Sequence, residues 1–92
     1  MSIRQVKNPQ VAHPLAETDL LTVEMEWDDE TRSWVSRVPE LNGISTFGSS
    51  YEETLDRTAE MIAGWIETMR ELGLKLPVSE KRAEEILRLL GR

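Results

Sequence analysis

The sequence predicts a two-layer α+β domain, in which one long helix covers one face of a small antiparallel sheet. Three observations predict it: a period-two apolar pattern that begins near Leu21, two short apolar runs separated by turn residues, and a long amphipathic pattern that follows Ser50. In chain order these elements read β-β-β-α-β-α. The 92 residues are enough for one hydrophobic core and one domain.

The first nineteen residues of the chain show no regular pattern of apolar and polar residues. They contain Pro9 and Pro14, each of which restricts its own backbone and that of the preceding residue, and no period is sustained. We therefore predict an extended arm over residues 1–19 and the main domain over residues 20–77. The one histidine of the chain, His13, lies in this arm. We interpret it as a solvated or lightly packed side chain, because the sequence shows no partner for it.

Three short strands are predicted in the first half of the main domain. Apolar and polar residues alternate over residues 21–27, a polar turn covers residues 28–32, and residues 34–38 form a second strand that Pro39 ends. Two such runs so close in sequence predict an antiparallel hairpin. An Asn-Gly turn pair then leads into a third strand over residues 44–47.

The strongest helix signal begins at Ser50. Ser50 and Glu53 have the spacing of a capping box, and Gly73 is a natural end for the helix. Gly64 in mid-helix costs about 1 kcal/mol relative to alanine, and close approach of another backbone would explain its presence. The predicted buried stripe contains Leu55, Ala59, Ile62, Ile66 and Met69, widened by Met61, Trp65 and Leu72.

Two further elements are predicted after this helix. Residues 74–77, with the sequence LKLP, fit a fourth strand that returns to the sheet through a right-handed crossover. Ser79 then caps a short amphipathic helix within a C-terminal segment over residues 78–92. Because this helix has only about three turns, we expect packing against the domain or a second subunit to stabilise it.

The strand pattern also assigns side chains to the two faces of the sheet. The helix side is predicted to hold Val23, Met25, Val38 and Ile44, and the other side Thr22, Glu24, Glu26, Val35, Arg37 and Phe47. This second face mixes apolar and charged groups. We expect it to be covered by self-association into a homodimer or tetramer, through Val35, Arg37 and Phe47.

Composition and charge exclude several classes of function. The formal net charge is −6 and the pI is about 4.8, which argues against direct binding of nucleic acid. The sequence contains no cysteine, which excludes disulfides, cysteine-based zinc sites and thiol nucleophiles. No apolar run approaches the length of about 20 residues that a membrane span needs. We expect no signal peptide, no cofactor and a cytoplasmic location.

Acidic residues are the main candidates for chemistry. They are Glu24, Glu26, Asp28 and Asp29 on or after the first strand, and Glu52, Glu53 and Asp56 at the start of the helix. Acids at these places in a β-β-β-α-β order resemble those of ribonuclease-H-type nucleases, which hold two metal ions. That chemistry also needs an acid on the returning strand, where this chain has Lys75. A solvated acidic face is the simpler interpretation.

Two tryptophans flank the predicted hairpin turn. Trp27 and Trp34 fit a cross-strand aromatic contact, and they equally fit an exposed platform for binding a partner. One ring can serve both purposes, so both interpretations stay open.

Two segments together resemble the HicB family of antitoxins. WVSRVPELNG over residues 34–43 has the family's pattern of an aromatic residue followed by V-x-x-V-P-E-L-x-G. TFGSSYEET over residues 46–54 has its T-x-G-x-S-x-E-E entry into the helix, and residues 74–77 match its L-x-L-P. The resemblance covers residues 20–77, and the order and spacing of the pieces carry it.

The resemblance implies a partial ribonuclease-H-like fold without nuclease activity, and assembly into homo-oligomers. In bacterial toxin–antitoxin pairs, HicB antitoxins bind a small basic HicA toxin, an mRNA endoribonuclease, and cover its catalytic histidine. An acidic chain suits such a partner. The resemblance implies no catalytic, cofactor-binding or metal-binding residue. We hypothesise that partner binding involves the acidic strand and hairpin, with Glu24, Glu26, Trp27, Asp28, Asp29 and Trp34.

The chain departs from the family pattern at both ends. One short helix follows Pro77, where family members carry a DNA-binding module, and an arm precedes Leu20. An orphan HicB-like homo-oligomer without a toxin partner, with a structural or ligand-sensing role, is therefore the alternative function. A metal-dependent nuclease is the least favoured alternative.

Overall fold

The structure is a computed structural model, and it describes residues 13–92. Residues 1–12, and with them most of the predicted arm, lie outside the described residues. A three-stranded antiparallel sheet is followed by a long helix and a second helix, which confirms the α+β class. The elements are β1 (Glu24–Asp28), β2 (Ser33–Val38), β3 (Ile44–Gly48), α1 (Tyr51–Glu71) and α2 (Glu80–Leu89). No helix within residues 13–92 is long and apolar enough to cross a membrane.

The sheet has the order β1-β2-β3, and both strand pairs are antiparallel. The predicted hairpin is confirmed, with Trp27 opposite Trp34 across its two strands. Val35 on β2 lies opposite Phe47 on β3. For the residues inside the strands, the predicted division of the faces follows from this register, because side chains alternate along each strand. Thr22, predicted on the side away from the helix, precedes β1 and is buried.

Helix α1 begins as the capping signal predicts. The Ser50 hydroxyl accepts a hydrogen bond from the Glu53 N–H at 3.0 Å. The Glu53 carboxylate reaches one residue further back than a capping box requires, and accepts from the N–H and the hydroxyl of Ser49 at 2.6 and 2.7 Å. The buried stripe is confirmed at its centre, by the fully buried Leu55, Ile62 and Ile66.

Two expectations for this helix are wrong. Leu72 is 66% exposed, because it lies at the C-terminal cap beyond the part of the helix that packs on the core. Gly64 has no close neighbour, since a Cβ added there would meet nothing within 4 Å. Close backbone approach therefore does not explain Gly64.

The predicted fourth strand does not form within residues 13–92, where the sheet has three strands. Gly73 adopts a left-handed conformation with φ of 70°, as predicted for the end of α1. The Leu74 N–H then donates to the Met69 carbonyl at 2.9 Å, which folds the chain back on the helix end. Leu76 enters the core as a single buried side chain instead of as part of a strand. The partial ribonuclease-H-like arrangement stays a prediction.

Helix α2 packs on its own domain. The Ser79 hydroxyl caps it by accepting from the Arg82 N–H at 3.1 Å, as predicted. The Arg82 side chain donates from Nε to the Leu20 carbonyl at 2.6 Å and pairs with the Glu40 carboxylate at 3.3 Å. The apolar side of the helix enters the common core through Ala83, Ile86 and Leu87.

The described end of the predicted arm also joins the core. Residues Pro14–Glu17 form a 3₁₀ turn, and Leu15 is completely buried. His13 caps this turn, because its Nδ1 accepts from the Leu15 N–H at 3.1 Å. Its Nε2 lies 3.1 Å from an Asp56 carboxylate oxygen, and the side chain is only 9% exposed. Asp56 is thus the partner of His13 that the sequence does not reveal.

Candidate functional site

Helix α1 packs on one face of the sheet, and within residues 13–92 the other face is left uncovered. The covered face carries Met25, Ser36 and Val38, which are all buried. We call the other face the open face. Its side chains are Glu24, Glu26 and Asp28 on β1, Ser33, Val35 and Arg37 on β2, and Ser45 and Phe47 on β3.

Three carboxylates, those of Glu24, Glu26 and Asp28, lie in a row on β1 along the edge of the open face. We call them the carboxylate row. Glu24 is neutralised by Arg37, whose Nη2 and Nε lie 2.9 and 3.2 Å from the same carboxylate oxygen. Asp28 accepts a hydrogen bond from the Glu30 N–H at 3.0 Å, and Glu26 is exposed. Neither Glu26 nor Asp28 has an ion-pair partner in the described part of the chain. The row therefore carries an excess of negative charge.

The centre of the open face is apolar. Phe47 is 61% exposed and lies opposite Val35 across the β2–β3 pair. A depression of about 350 Å³ lies here, with Asp28 and Ser33 at its rim. The open face thus combines a small apolar centre with an acidic border, a combination found at protein interfaces.

The two tryptophans lie on the opposite side of the hairpin from this row. Their rings meet edge to face with centroids 5.7 Å apart, which confirms the cross-strand contact. Trp34 in turn meets Tyr51 of α1 at 5.0 Å, and burial raises the pKa of Tyr51 above its ordinary value of 10.0. Trp27 is 40% exposed, and Arg32 lies over its ring at 6.0 Å. Trp27 is therefore both a packing residue and an accessible one.

The structure divides the predicted partner-binding residues into three groups. Glu24, Glu26 and Asp28 lie together on the open face. Trp27 and Trp34 lie on the helix side, and Asp29 lies in the turn. Asp29 accepts a hydrogen bond from the Trp27 indole N–H at 3.4 Å. The predicted self-association residues, Val35, Arg37 and Phe47, share the open face with the carboxylate row.

The described residues contain no group of three or more histidine, cysteine, aspartate or glutamate side chains that could hold a metal ion. Two of the three acids at the start of α1 have structural partners instead. Glu53 is held by Ser49, and Asp56 is paired with His13. These acids are thus separate from the row on β1.

Sequence reasoning missed two polar contacts near this site. The hairpin register places Glu24 and Arg37 directly opposite each other. The ion pair between them could therefore have been predicted once the register was known. The Arg82–Glu40 pair joins residues 42 positions apart, and no local pattern indicates it. Glu40 also accepts from the Thr22 N–H at 3.0 Å, and so fixes the segment that leads into β1.

Comparison with protein-family models, with curated proteins and with solved structures finds no match to this chain. The resemblance to the HicB family therefore stays a prediction, carried by residues 34–43 and 46–54. The third piece of that resemblance, residues 74–77, does not form a strand in this structure.

Proposed function

We propose that this protein is a non-enzymatic binding protein of the HicB-like antitoxin type, which neutralises a small basic HicA-type mRNA endoribonuclease by covering its active site. The observation that supports it most is the carboxylate row on β1, where Glu26 and Asp28 have no ion-pair partner within residues 13–92. Exposed carboxylates on a rigid strand attract and orient a basic surface. The resemblance of residues 34–43 and 46–54 to the HicB pattern supports the choice of family.

The charge around the row strengthens this proposal. Residues 24–32 contain five acids and one base, and the whole chain has a net charge of −6. A local excess of one sign raises the rate at which a partner of the opposite sign associates, and salt weakens the effect. We expect binding of the partner to weaken steeply as the ionic strength rises.

Co-purification from the native host tests the proposal. A tagged chain should retain a small basic protein and should suppress RNA cleavage by that protein. Glu26→Lys reverses one exposed charge of the row and should reduce both effects. Glu71→Lys makes the same change at the far end of α1 and should leave both effects intact. Recovery of no basic partner, or equal effects of the two variants, would refute the proposal.

Self-association through the open face is the second candidate, as for an orphan HicB-like homo-oligomer. The exposure of Phe47 beside Val35 favours it. The carboxylate row opposes it, because two copies stacked face to face would bring like charges together. Sedimentation equilibrium at high protein concentration measures whether the chain self-associates and so distinguishes this second function from the first. A stable oligomer that Phe47→Ser dissociates would favour this second function.

A further inference from the structure

We propose that the free edge of β1 accepts an extended basic segment of the partner as an additional strand. The proposal rests on the proposed function and specifies how that partner docks. Strand addition at a sheet edge uses backbone hydrogen bonds for affinity and alternate side chains for specificity. The carboxylate row would then select the partner by the spacing of its basic residues and not only by its overall charge.

No strand of residues 13–92 pairs with the second edge of β1. Within residues 13–92, β1 pairs with β2 on one side only, and it is an edge strand of the sheet. An edge strand presents a row of unpaired N–H and C=O groups. The segment expected to cover an edge, residues 74–77, is held instead by the Leu74–Met69 hydrogen bond at the end of α1.

The side chains of β1 define what the added strand must carry. Glu24, Glu26 and Asp28 repeat at every second residue on one face. Because Arg37 already neutralises Glu24, two carboxylates remain for the incoming strand. Cross-strand neighbours have Cβ atoms about 5 Å apart, within reach of an ion pair. The incoming strand should therefore carry lysine or arginine at two alternate positions.

The position between these two bases faces the other side of the sheet. There the neighbour on β1 is Trp27, whose ring is 40% exposed. An apolar or β-branched side chain at that position would cover the exposed part of the ring. The expected recognition pattern is thus base, apolar residue, base.

The same acids exclude a second copy of this chain from the edge. Pairing of β1 with another β1 would place carboxylates directly opposite carboxylates, which is destabilising. Residues 24–28 contain no lysine or proline, the residues that usually block an edge. The acidic row therefore rejects self-pairing while it admits a basic strand. The other edge strand, β3, carries no charged residue over 44–48, so charge selects β1.

A designed peptide tests this mode of docking on the full chain. The probe is acetyl-Thr-Arg-Val-Arg-Val-Thr-amide, added to ¹⁵N-labelled protein at low salt, with amide hydrogen exchange as the readout. We expect it to slow exchange of those amides in Glu24–Asp28 that do not point to β2. A peptide with citrulline in place of both arginines keeps the shape, removes the charge and should bind about tenfold more weakly.

Backbone methylation separates strand pairing from simple charge attraction. Two further peptides carry N-methyl groups on one or the other alternate set of amides, so that their charge is unchanged. Only one set can face β1, so one methylated peptide should bind about tenfold more weakly and the other should bind like the parent. Equal affinity of the two methylated peptides would overturn strand addition and leave charge-driven docking in place.

The remaining outcomes are equally decisive. Slow exchange of the outward amides of β1 before any peptide is added would overturn the proposal, because the edge would already be occupied. Equal binding of the arginine and citrulline peptides would overturn it as well, since the row would not read charge. If the arginine peptide binds as expected while the native host yields no basic partner, strand addition holds and the antitoxin function fails.

Discussion

The Ser36 hydroxyl on β2 and the Thr58 hydroxyl on α1 lie 2.7 Å apart, and both side chains are completely buried. Thr58 Oγ1 donates its own proton to the Thr54 carbonyl at 2.6 Å, so Ser36 is the donor within the pair. This hydrogen bond joins the sheet to the helix inside the core. It fixes which turn of α1 faces the middle of β2.

The direction of this hydrogen bond gives a testable asymmetry. Thr58→Val leaves the buried Ser36 hydroxyl without its acceptor, and we expect a loss of about 1–3 kcal/mol of unfolding free energy. Ser36→Ala leaves Thr58 bonded to Thr54, and should cost about 1 kcal/mol. The double variant should lose less than the sum in urea unfolding. Losses that add to within about 0.3 kcal/mol would contradict a direct bond between the two side chains.

Arg82 fastens helix α2 to two distant segments, through the Leu20 carbonyl and the Glu40 carboxylate. Arg82→Met keeps much of the side-chain length but leaves both acceptors without this donor, and we expect a loss of about 1–3 kcal/mol. Amide exchange in α2 should quicken. Lys81→Met, at the exposed neighbouring position, is the matched control and should change stability little. Equal losses of stability in the two variants would show that the contacts of Arg82 do not stabilise the packing of α2.

Two glycines should respond to alanine in opposite ways. A Cβ on Gly48 would lie 2.7 Å from Thr54 Oγ1 and 3.2 Å from the Thr54 nitrogen, at the start of α1. We expect Gly48→Ala to destabilise the fold by about 1–3 kcal/mol, because the strand end must move away from the helix. A Cβ on Gly64 would meet nothing within 4 Å. Gly64→Ala should therefore stabilise by about 1 kcal/mol, since alanine favours a helix interior.

Thermal unfolding of both alanine variants gives the comparison directly. The melting temperature should fall for Gly48→Ala and rise for Gly64→Ala. A rise in melting temperature for both variants would contradict the close contact between the end of β3 and Thr54. A fall in melting temperature for both variants would contradict the open space around Gly64.

The start of α1 should make stability depend on pH. Hydrogen bonds from Ser49, aided by Arg57, hold the pKa of Glu53 below its ordinary value of 4.5. A carboxyl group with a lowered folded-state pKa stabilises the fold above its unfolded pKa, and this contribution is lost as the pH falls through the folded pKa. We expect Glu53→Gln to lower stability at neutral pH and to have little effect in strong acid.

Urea unfolding from neutral to acid pH measures this effect. Glu52→Gln removes the same charge from the same helical turn, outside the contacts with Ser49, and serves as the control. The gap between the wild-type chain and Glu53→Gln should close as the pH falls, by more than for the control. An unchanged gap at every pH would contradict a lowered pKa for Glu53.

The candidate site was predictable in its residues but not in its arrangement. Period-two alternation is enough to place Glu24, Glu26 and Phe47 on one face, because the pleat of a strand fixes alternate directions. Whether that face is covered depends on where the long helix packs. The same alternation puts Trp27 and Trp34 on the other face, so the acids and the tryptophans do not form one continuous patch on either face. Their joint role in binding stays a prediction.

The sequence by itself determined the local elements of this protein. Caps at Ser50 and Ser79, the β1–β2 hairpin and the end of α1 at Gly73 all depend on neighbouring residues, whose steric and hydrogen-bonding rules act within a few positions. The acidic character of β1 belongs to the same class, because charge is read directly from the chain.

Only the tertiary structure decided how these elements combine. The Arg82–Leu20 bond joins residues 62 positions apart, and the His13–Asp56 pair joins residues 43 positions apart. The short apolar run at residues 74–77 fits a strand as well as a loop, and the competition between the two is settled by the hydrogen bond of Leu74 to the end of α1. Such contacts depend on the relative placement of whole elements, which local periodicity does not encode. Within residues 13–92, that placement leaves β1 at the edge of the sheet, with the Glu26 carboxylate exposed.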